Sequence, residues 1–247
     1  MALREEFERS GNWLFRWRSY LPIFIILMVI LSLRDYPLYI INAQWASMWD
    51  AFCLIIGFAG LGIRIITIGQ VPRGTSGRNV NSHVAESLNT TGIYSVVRNP
   101  LYLGNYFMGL AIAFFPMQWW LPVIYSLLFW LYYERIIFSE EAFLRAKFGD
   151  IYLQWTETTP PFFPKPFKRY EKSDLTFCVR NVLKREYNGL FALIFLIYVL
   201  RIFRDLFVGM QVNVSFGWTA LLCTGFVMWM TLRILRKHTK LLYVDGR

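Results

Sequence analysis

Two polar segments of this chain combine side chains that can bind a charged ligand at a membrane boundary. The first runs from Gly92 to Gly104 and places Tyr94, Arg98 and Tyr102 at regular offsets leading into an apolar helix. Asn99-Pro100 is a natural helix start, because proline is favoured in the first helical turn. The first amides of a helix have no intrahelical acceptor, so this end can hold an anionic group.

The second segment is the acidic pair Glu140-Glu141, which follows an apolar stretch ending at Phe138. Carboxylates at a bilayer boundary are costly unless they are paired or functional. Arg135 and Arg145 lie five and four residues from the pair on the expected helix, so a local ion pair is one interpretation. Binding of a cationic ligand is the other, and the residues alone leave both open.

A strongly apolar chain must position these two segments. Of its 247 residues, 56% are hydrophobic and 19% are aromatic, whereas roughly 45–50% apolar residues is usual for a soluble domain. Six stretches come near the roughly 20 apolar residues that a spanning helix needs. The sequence therefore predicts an all-α polytopic membrane bundle of about six transmembrane helices, of which the first and third are short. The stretches are Tyr20–Leu33, Ala46–Gly69, Leu101–Pro116, Trp119–Phe138, Asn188–Phe207 and Ser215–Leu235.

The basic residues predict the orientation, since Lys and Arg are retained on the cytoplasmic side of a membrane. They are concentrated in the N-terminal arm, in 71–100, in 139–187 and in the tail after Arg233. An even number of spans with both termini in the cytoplasm satisfies all four regions and gives a pocket that faces the cytoplasm. Arg201 to Asp205, near an outer end, are the exception. Short loops and the lack of a cleavable signal favour a bacterial inner membrane, and an endoplasmic reticulum membrane stays open.

The composition of the chain and its proline-rich stretch limit the remaining possibilities. The net charge of +10 is spread between apolar runs rather than along one face, which favours anionic lipid headgroups as partners over nucleic acid. The three cysteines lie far apart, so no disulfide or metal site is indicated. The proline-rich stretch Pro160–Pro166 cannot be helical. We therefore divide the chain into 1–70, a core at 71–167 and a C-terminal extension at 168–247, and the oligomeric state stays unknown.

Taken in order, the two polar segments resemble the isoprenylcysteine carboxyl methyltransferase and phospholipid methyltransferase superfamily. The resemblance covers about Arg73 to Pro164: a tyrosine- and arginine-bearing turn, a hydrophobic hairpin, the acidic pair and a proline-rich exit. The matching residues are Gly92, Tyr94, Arg98, Pro100, Tyr102, Gly104, Glu140, Glu141, Phe148, Gly149, Tyr152 and Pro160.

The resemblance implies S-adenosylmethionine as methyl donor and a lipid or lipidated acceptor. The family often has histidine where Asn99 stands, so a donor is kept here and a titratable group is lost. His83 lies three residues before Glu86, the first of the cofactor-binding residues that the resemblance implies. We predict that the catalytic residues are Arg98, Tyr102, Arg135, Glu140 and Glu141. The cofactor-binding residues are Glu86, Ser87, Leu88, Asn89, Tyr94, Arg98, Asn99, Pro100, Leu101, Tyr102 and Glu140.

These residue types suit a donor that carries a carboxylate, an ammonium and a sulfonium. The acidic pair can offset the cationic end, and Arg98 or the amides after Asn99 can take the carboxylate. Methyl transfer is an in-line displacement, so positioning should dominate over acid-base work. Arg73, Arg78 and Arg135 favour an anionic oxygen, a phosphate or a carboxylate, over an amine as acceptor; an amine would need a base, for which Glu141 is the candidate.

Three other functions stay open on the sequence. A membrane sterol-type reductase that uses NADPH has a similar C-terminal architecture, and a non-catalytic membrane scaffold could keep the same fold. A transporter is disfavoured because Arg64 is nearly the only charge near the middle of a predicted span,.

Overall fold

The computed structural model describes residues 3–17, 20–36, 43–72, 74–75, 85–165, 170–208, 212 and 215–246. Within these ranges the chain is all-α, as predicted, and contains no strand. The helices are α1 (Leu3–Trp17), α2 (Leu21–Ser32), α3 (Ala43–Gly69), α4 (Pro100–Phe114), α5 (Trp120–Phe148), α6 (Asp150–Thr158), α7 (Val179–Phe207) and α8 (Phe216–His238).

Each of the six apolar stretches lies in a helix, α2 to α5, α7 and α8. Three helical segments are long and apolar enough to cross a membrane, namely Gln44–Gly69, Trp120–Phe148 and Phe216–His238. Pro100–Phe114 is a shorter apolar helix. The chain is thus built as a membrane protein, while the number of six crossings and the orientation stay predictions.

Two helices run well beyond their apolar stretches. α5 continues ten residues past Phe138, to Phe148. The acidic pair therefore lies on the same helix as the second apolar stretch of the hairpin. α7 begins at Val179, before the predicted start at Asn188. Hydropathy ends where charged residues begin, but Glu, Lys, Arg and Ala are good helix formers, so the backbone continues as a helix.

The crossing of α3 and α4 explains the last glycine of the first polar segment. A Cβ at Gly104 would lie 2.5 Å from Cγ of Arg64 and 2.7 Å from the carbonyl oxygen of Gly60. Such contacts are too short for any side chain, so only glycine lets the two backbones approach this closely. The close crossing holds the start of α4 against α3.

The charges at the end of α7 that did not fit the orientation rule are buried in an ion network. Asp50 of α3 is fully buried and accepts hydrogen bonds from Arg201 and, at 2.8 Å, from Arg204. The guanidinium of Arg201 also lies over the ring of Trp218, 4.5 Å from its centroid. These arginines are paired inside the protein instead of facing solvent, and they join α7 to α3. The division of the chain at the proline-rich stretch stays a prediction.

Candidate active site

The two polar segments meet at one end of the α4–α5 hairpin. The hydroxyl of Tyr102, in the first turn of α4, donates a 2.8 Å hydrogen bond to Oε1 of Glu140 on α5. The Tyr102 ring packs on Tyr133, which lies about two helical turns before the acidic pair, with 4.7 Å between the ring centroids. Glu140 therefore faces α4 and the start of its helix.

The second carboxylate of the pair has a different partner. Nη2 of Arg98 lies 3.1 Å from Oε1 of Glu141, and the Arg98 side chain is only 13% exposed. Successive residues of an α-helix point about 100° apart, so Glu140 and Glu141 contact Tyr102 and Arg98 respectively without competing. The convergence that the motif order predicts is present in the structure, and the roles of these residues stay predictions.

Arg98 and Glu141 retain unused hydrogen-bonding capacity. Nε of Arg98, Oε1 of Glu141 and the hydroxyl of Tyr152 are buried and make no hydrogen bond of normal geometry within the described residues. Burial, together with the adjacent Glu141 carboxylate, raises the pKa of Tyr152 above its usual value of 10.0. Tyr152 is therefore a neutral donor at physiological pH. Buried polar atoms without partners are uncommon in native proteins, and a bound ligand is one way to satisfy them.

The proline-rich stretch holds the first polar segment in place. The backbone N–H of Arg98 donates to the carbonyl of Pro160 at 2.9 Å, and Nδ2 of Asn99 donates to the carbonyl of Pro161 at the same distance. Prolines lack an N–H but keep a carbonyl acceptor. Nε1 of Trp155 on α6 also donates to the carbonyl of Tyr94 at 3.2 Å.

Gly92 begins a short 3₁₀ turn, Gly92–Ser95, that carries Tyr94. Its φ of +64° lies in the left-handed region that favours glycine,. Its amide donates to the carbonyl of Glu171 at 2.9 Å, and Ser95 Oγ accepts from the amide of Glu171 at 3.0 Å. The segment before α7 thus closes over the turn and fixes its course.

Tyr94 lies within electrostatic reach of Arg185 on α7 and Glu140 on α5. Burial raises the pKa of the Tyr94 hydroxyl well above 10.0; Arg185 opposes the shift and Glu140 adds to it. The hydroxyl stays protonated at physiological pH, so Tyr94 offers a donor within electrostatic reach of Glu140, the carboxylate that Tyr102 contacts.

The start of α4 offers backbone donors beside Arg98. Asn99 precedes the helix, Pro100 occupies its first position, and the amide of Leu103 bonds back to the carbonyl of Asn99 at 3.1 Å. The amides of Leu101 and Tyr102 come too early in the helix to have an intrahelical acceptor. They form the positive end of the helix dipole next to the Arg98 side chain.

Some of the predicted residues lie elsewhere. The guanidinium of Arg135 lies over the ring of Phe7 on α1, 5.4 Å from its centroid. In the predicted cradle Glu86 and Ser87 are exposed, while Leu88 and Asn89 are half-buried. The Glu86 amide donates to the carbonyl of Gly74 at 3.2 Å. The positions Arg73, Arg78 and His83 lie outside the described residues.

Sequence reasoning missed the ion pair that supports the site from α7. The guanidinium of Arg64 on α3 bonds to both carboxylate oxygens of Glu186, and its Nη1 donates to Oδ1 of Asn105 on α4 at 2.6 Å. Arg64 was visible as a lone charge in an apolar stretch, and such a charge calls for a partner. Its partner is 122 residues away, so no local pattern could identify it.

Comparison with known proteins shows that the segment carrying this site is similar to a described family. Residues 53–151 match the family described as "Phospholipid methyltransferase". The chain is 32% identical over 142 residues to "Protein-S-isoprenylcysteine O-methyltransferase" of Schizosaccharomyces pombe, which covers 55% of this chain and 57% of that protein. The resemblance predicted from the two polar segments is confirmed: residues 53–151, which carry both, match this methyltransferase family.

Two bacterial proteins are similar over the same extent. "Nickel-cobalt-cadmium resistance protein NccN" of Alcaligenes xylosoxydans xylosoxydans is 30% identical over 50% of this chain and 56% of its own length. "Cobalt-zinc-cadmium resistance protein CzcN" of Cupriavidus metallidurans is 29% identical over 50% of this chain and 55% of its own length. The matches span a little over half the length of these relatives. No solved structure matches the chain significantly.

Proposed function

We propose that this protein transfers a methyl group from S-adenosylmethionine to a lipid or lipidated acceptor. The observation that carries the proposal is the pairing of Tyr102 with Glu140 and of Arg98 with Glu141 at one end of the α4–α5 hairpin. Both pairs lie inside the segment that matches the methyltransferase family.

The residues present fit the cofactor. S-adenosylmethionine, when bound, supplies an electrophilic methyl group on a sulfonium. Its carboxylate needs cationic or N–H donors, which Arg98 and the first amides of α4 provide. Its cationic groups need a carboxylate, which Glu140 provides. Nε of Arg98 makes no hydrogen bond within the described residues, so this guanidinium can donate to a further partner.

The tyrosines orient the charged groups of the site, and the carboxylates supply its negative charge. The Tyr102 hydroxyl keeps the Glu140 carboxylate directed toward α4. Tyr94 presents an aromatic face, which attracts a cation such as a sulfonium. The packed rings of Tyr102 and Tyr133 exclude water beneath the pair. A dry site strengthens each of these electrostatic contacts.

We further propose that the acceptor atom is an anionic oxygen rather than an amine. When an anion attacks a sulfonium, opposite charges cancel in the transition state, and no proton has to be removed. The arginine-rich surroundings of Glu141 support this choice. An amine acceptor would instead require Glu141 as a base, although Glu141 is already paired with Arg98 at 3.1 Å.

The test is methyl transfer by the purified protein. We expect the full chain, incubated with methyl-labelled S-adenosylmethionine and a total membrane lipid extract, to label one lipid class, which mass spectrometry shows to be heavier by one methylene group. The Glu140→Gln variant serves as the inactive control. If lipids stay unlabelled and the protein binds NADPH while ignoring S-adenosylmethionine, the reductase function replaces the one proposed here. If neither cofactor binds, the protein is a scaffold.

A further inference from the structure

A cavity of about 540 Å³ lies where α1, α5 and α6 meet, next to Arg98. This volume is within the roughly 300–1,000 Å³ of small-molecule pockets. Arg98 and Glu141 form the wall that the cavity shares with the candidate active site. The rest of its lining comes from α1 and α6 and from the last turns of α5, and α1 lies outside the segment that matches the family.

The lining carries an excess of positive charge. Arg4, Arg98 and Arg145 line the cavity with a single carboxylate, that of Glu141. Arg98 is paired with Glu141, and Arg4 lies 3.5 Å from Glu8 on its own helix. Among the ion pairs of the described residues none includes Arg145, which is exposed. The uncompensated charge favours an anionic ligand.

Buried donors face the same space. Tyr152 lines the cavity and is 3% exposed, and its hydroxyl lies beside the Glu141 carboxylate but makes no hydrogen bond of normal geometry in the described part of the chain. Nε of Arg98 is likewise buried and unpartnered. Leaving such donors unpaired is unfavourable. An oxyanion in the cavity would accept from the Tyr152 hydroxyl, while Nε of Arg98 stays available to the cofactor carboxylate.

One part of the cavity wall, formed by α1 and α5, is apolar. The rings of Phe7 on α1 and Phe138 on α5 both line the cavity and pack with 5.7 Å between their centroids. The Tyr132 hydroxyl donates to the carbonyl of Leu14 at 2.7 Å and so fixes α1 against α5. Trp13, further along α1, is 60% exposed, as expected for a helix that lies at a membrane interface.

We propose that this cavity binds the anionic headgroup of the acceptor lipid. Arg145 and the Tyr152 hydroxyl hold its oxyanion beside Arg98, and Phe7 and Phe138 contact the first carbons of its chain. The inference rests on the proposed function, since that reaction defines the acceptor. S-adenosylmethionine carries a net positive charge, so the excess of arginine disfavours it as the occupant.

The experiment is a calorimetric titration of the full-length protein in dodecyl maltoside with dodecyl phosphate. We expect saturable binding, with much weaker binding of inorganic phosphate, which lacks the chain, and of dodecyltrimethylammonium, which has the opposite charge. Arg145→Gln should weaken dodecyl phosphate binding about tenfold through loss of a charge-assisted hydrogen bond. Ala142→Trp, which fills the cavity from its α5 wall, should abolish it.

Lys147→Gln is the matched control. It removes one positive charge from the same helical turn, but Lys147 is exposed, lies near the rings of Phe143 and Phe148 and does not line the cavity. Its affinity for dodecyl phosphate should equal that of the unchanged protein. An unchanged helical circular dichroism spectrum and unfolding temperature in detergent confirm that each variant is folded.

Three outcomes would overturn the inference. Equal binding of dodecyl phosphate by the unchanged protein, Arg145→Gln and Ala142→Trp would place the ligand elsewhere. Inorganic phosphate binding as tightly as dodecyl phosphate would make this a free-phosphate site. A tenfold loss of S-adenosylmethionine affinity in Arg145→Gln would assign the cavity to the cofactor. If instead dodecyl phosphate binds as expected but methyl transfer is absent, the headgroup site stands and the proposed function fails.

Discussion

The guanidinium of Arg64 and the carboxylate of Glu186 form two parallel hydrogen bonds, each 2.8 Å long. The Glu186 side chain is 5% exposed and that of Arg64 is 20% exposed. The pair joins α7, which lies beyond the matched family segment, to α3, and Arg64 passes the connection on to Asn105 of α4. The C-terminal part of the chain thereby braces the helix that begins at the candidate site.

Removing one partner of this pair should destabilise the fold. Glu186→Ala leaves a largely buried guanidinium without its counter-ion, and the expected loss is about 3–5 kcal/mol in the free energy of unfolding. Thermal unfolding in detergent measures it. The control is Glu157→Ala, which removes an exposed carboxylate. The double variant Arg64→Met with Glu186→Leu should recover much of the loss, and equal stability of Glu186→Ala and the unchanged protein would contradict the assigned role.

Loss of the Tyr102 hydroxyl should weaken cofactor binding without disturbing packing. Tyr102→Phe keeps the ring on Tyr133 but removes the bond to Glu140. We expect an affinity loss for S-adenosylmethionine of about tenfold, the scale of one hydrogen bond to a charged group. Tyr106→Phe is the matched control, because Tyr106 lies one turn further along α4 and its hydroxyl contacts Ser126 instead. Equal losses in both variants would mean that the effect is not specific to Glu140.

Arg98 should matter more than its single ion pair suggests. Arg98→Ala removes the donor assigned to the cofactor carboxylate and leaves Glu141 without its cation. We expect kcat/KM for methyl transfer to fall. The fall should correspond to a loss of about 2–4 kcal/mol of transition-state stabilisation, as when a positioned charge-stabilising donor is removed. Steady-state kinetics check this, with the exposed Arg9→Ala as control. Retained activity in Arg98→Ala would refute its assignment.

The raised pKa of Tyr152 predicts how stability depends on pH. A tyrosine whose pKa is above 10.0 in the folded state keeps its proton after the unfolded chain has lost it. Stability from this group is therefore complete below pH 10 and declines as the pH rises above that value, by up to about 1.4 kcal/mol per pH unit. Melting temperatures from pH 8 to pH 11 should fall less steeply in Tyr152→Phe. The exposed Tyr170→Phe should follow the unchanged protein; a slope in Tyr152→Phe that is as steep as the original would contradict the prediction.

The helices and the meeting of the two polar segments were accessible from sequence for identifiable reasons. A membrane helix must bond every backbone group within itself, so the six apolar stretches indicate helices without any tertiary information. Arg98, Tyr102 and Glu140 were found together because their spacing follows a family pattern. The structure then shows why the pattern includes Gly104, whose missing side chain makes room for Arg64.

Long-range contacts set the limit of that reasoning. Nothing local relates Arg64 to Glu186, or Asp50 to Arg204, because the partners lie on helices far apart in sequence. The charges at the end of α7 therefore looked like exceptions to an orientation rule until their burial was known. Arg135 was assigned to the site by proximity in sequence; its guanidinium lies over the ring of Phe7 on α1, and its catalytic role stays a prediction. The side on which a helical residue lies depends on neighbours that only the fold supplies.

The most direct test of the account is equilibrium binding of S-adenosylmethionine to the purified protein and to Glu140→Gln. Its central claim is that Arg98 and Glu140 face one sulfonium cofactor. We predict saturable binding by the unchanged protein, no competition by NADPH, and an affinity at least tenfold lower in Glu140→Gln, where the carboxylate charge is absent but the shape is kept. Equal affinity in both proteins, or binding of NADPH alone, would contradict it.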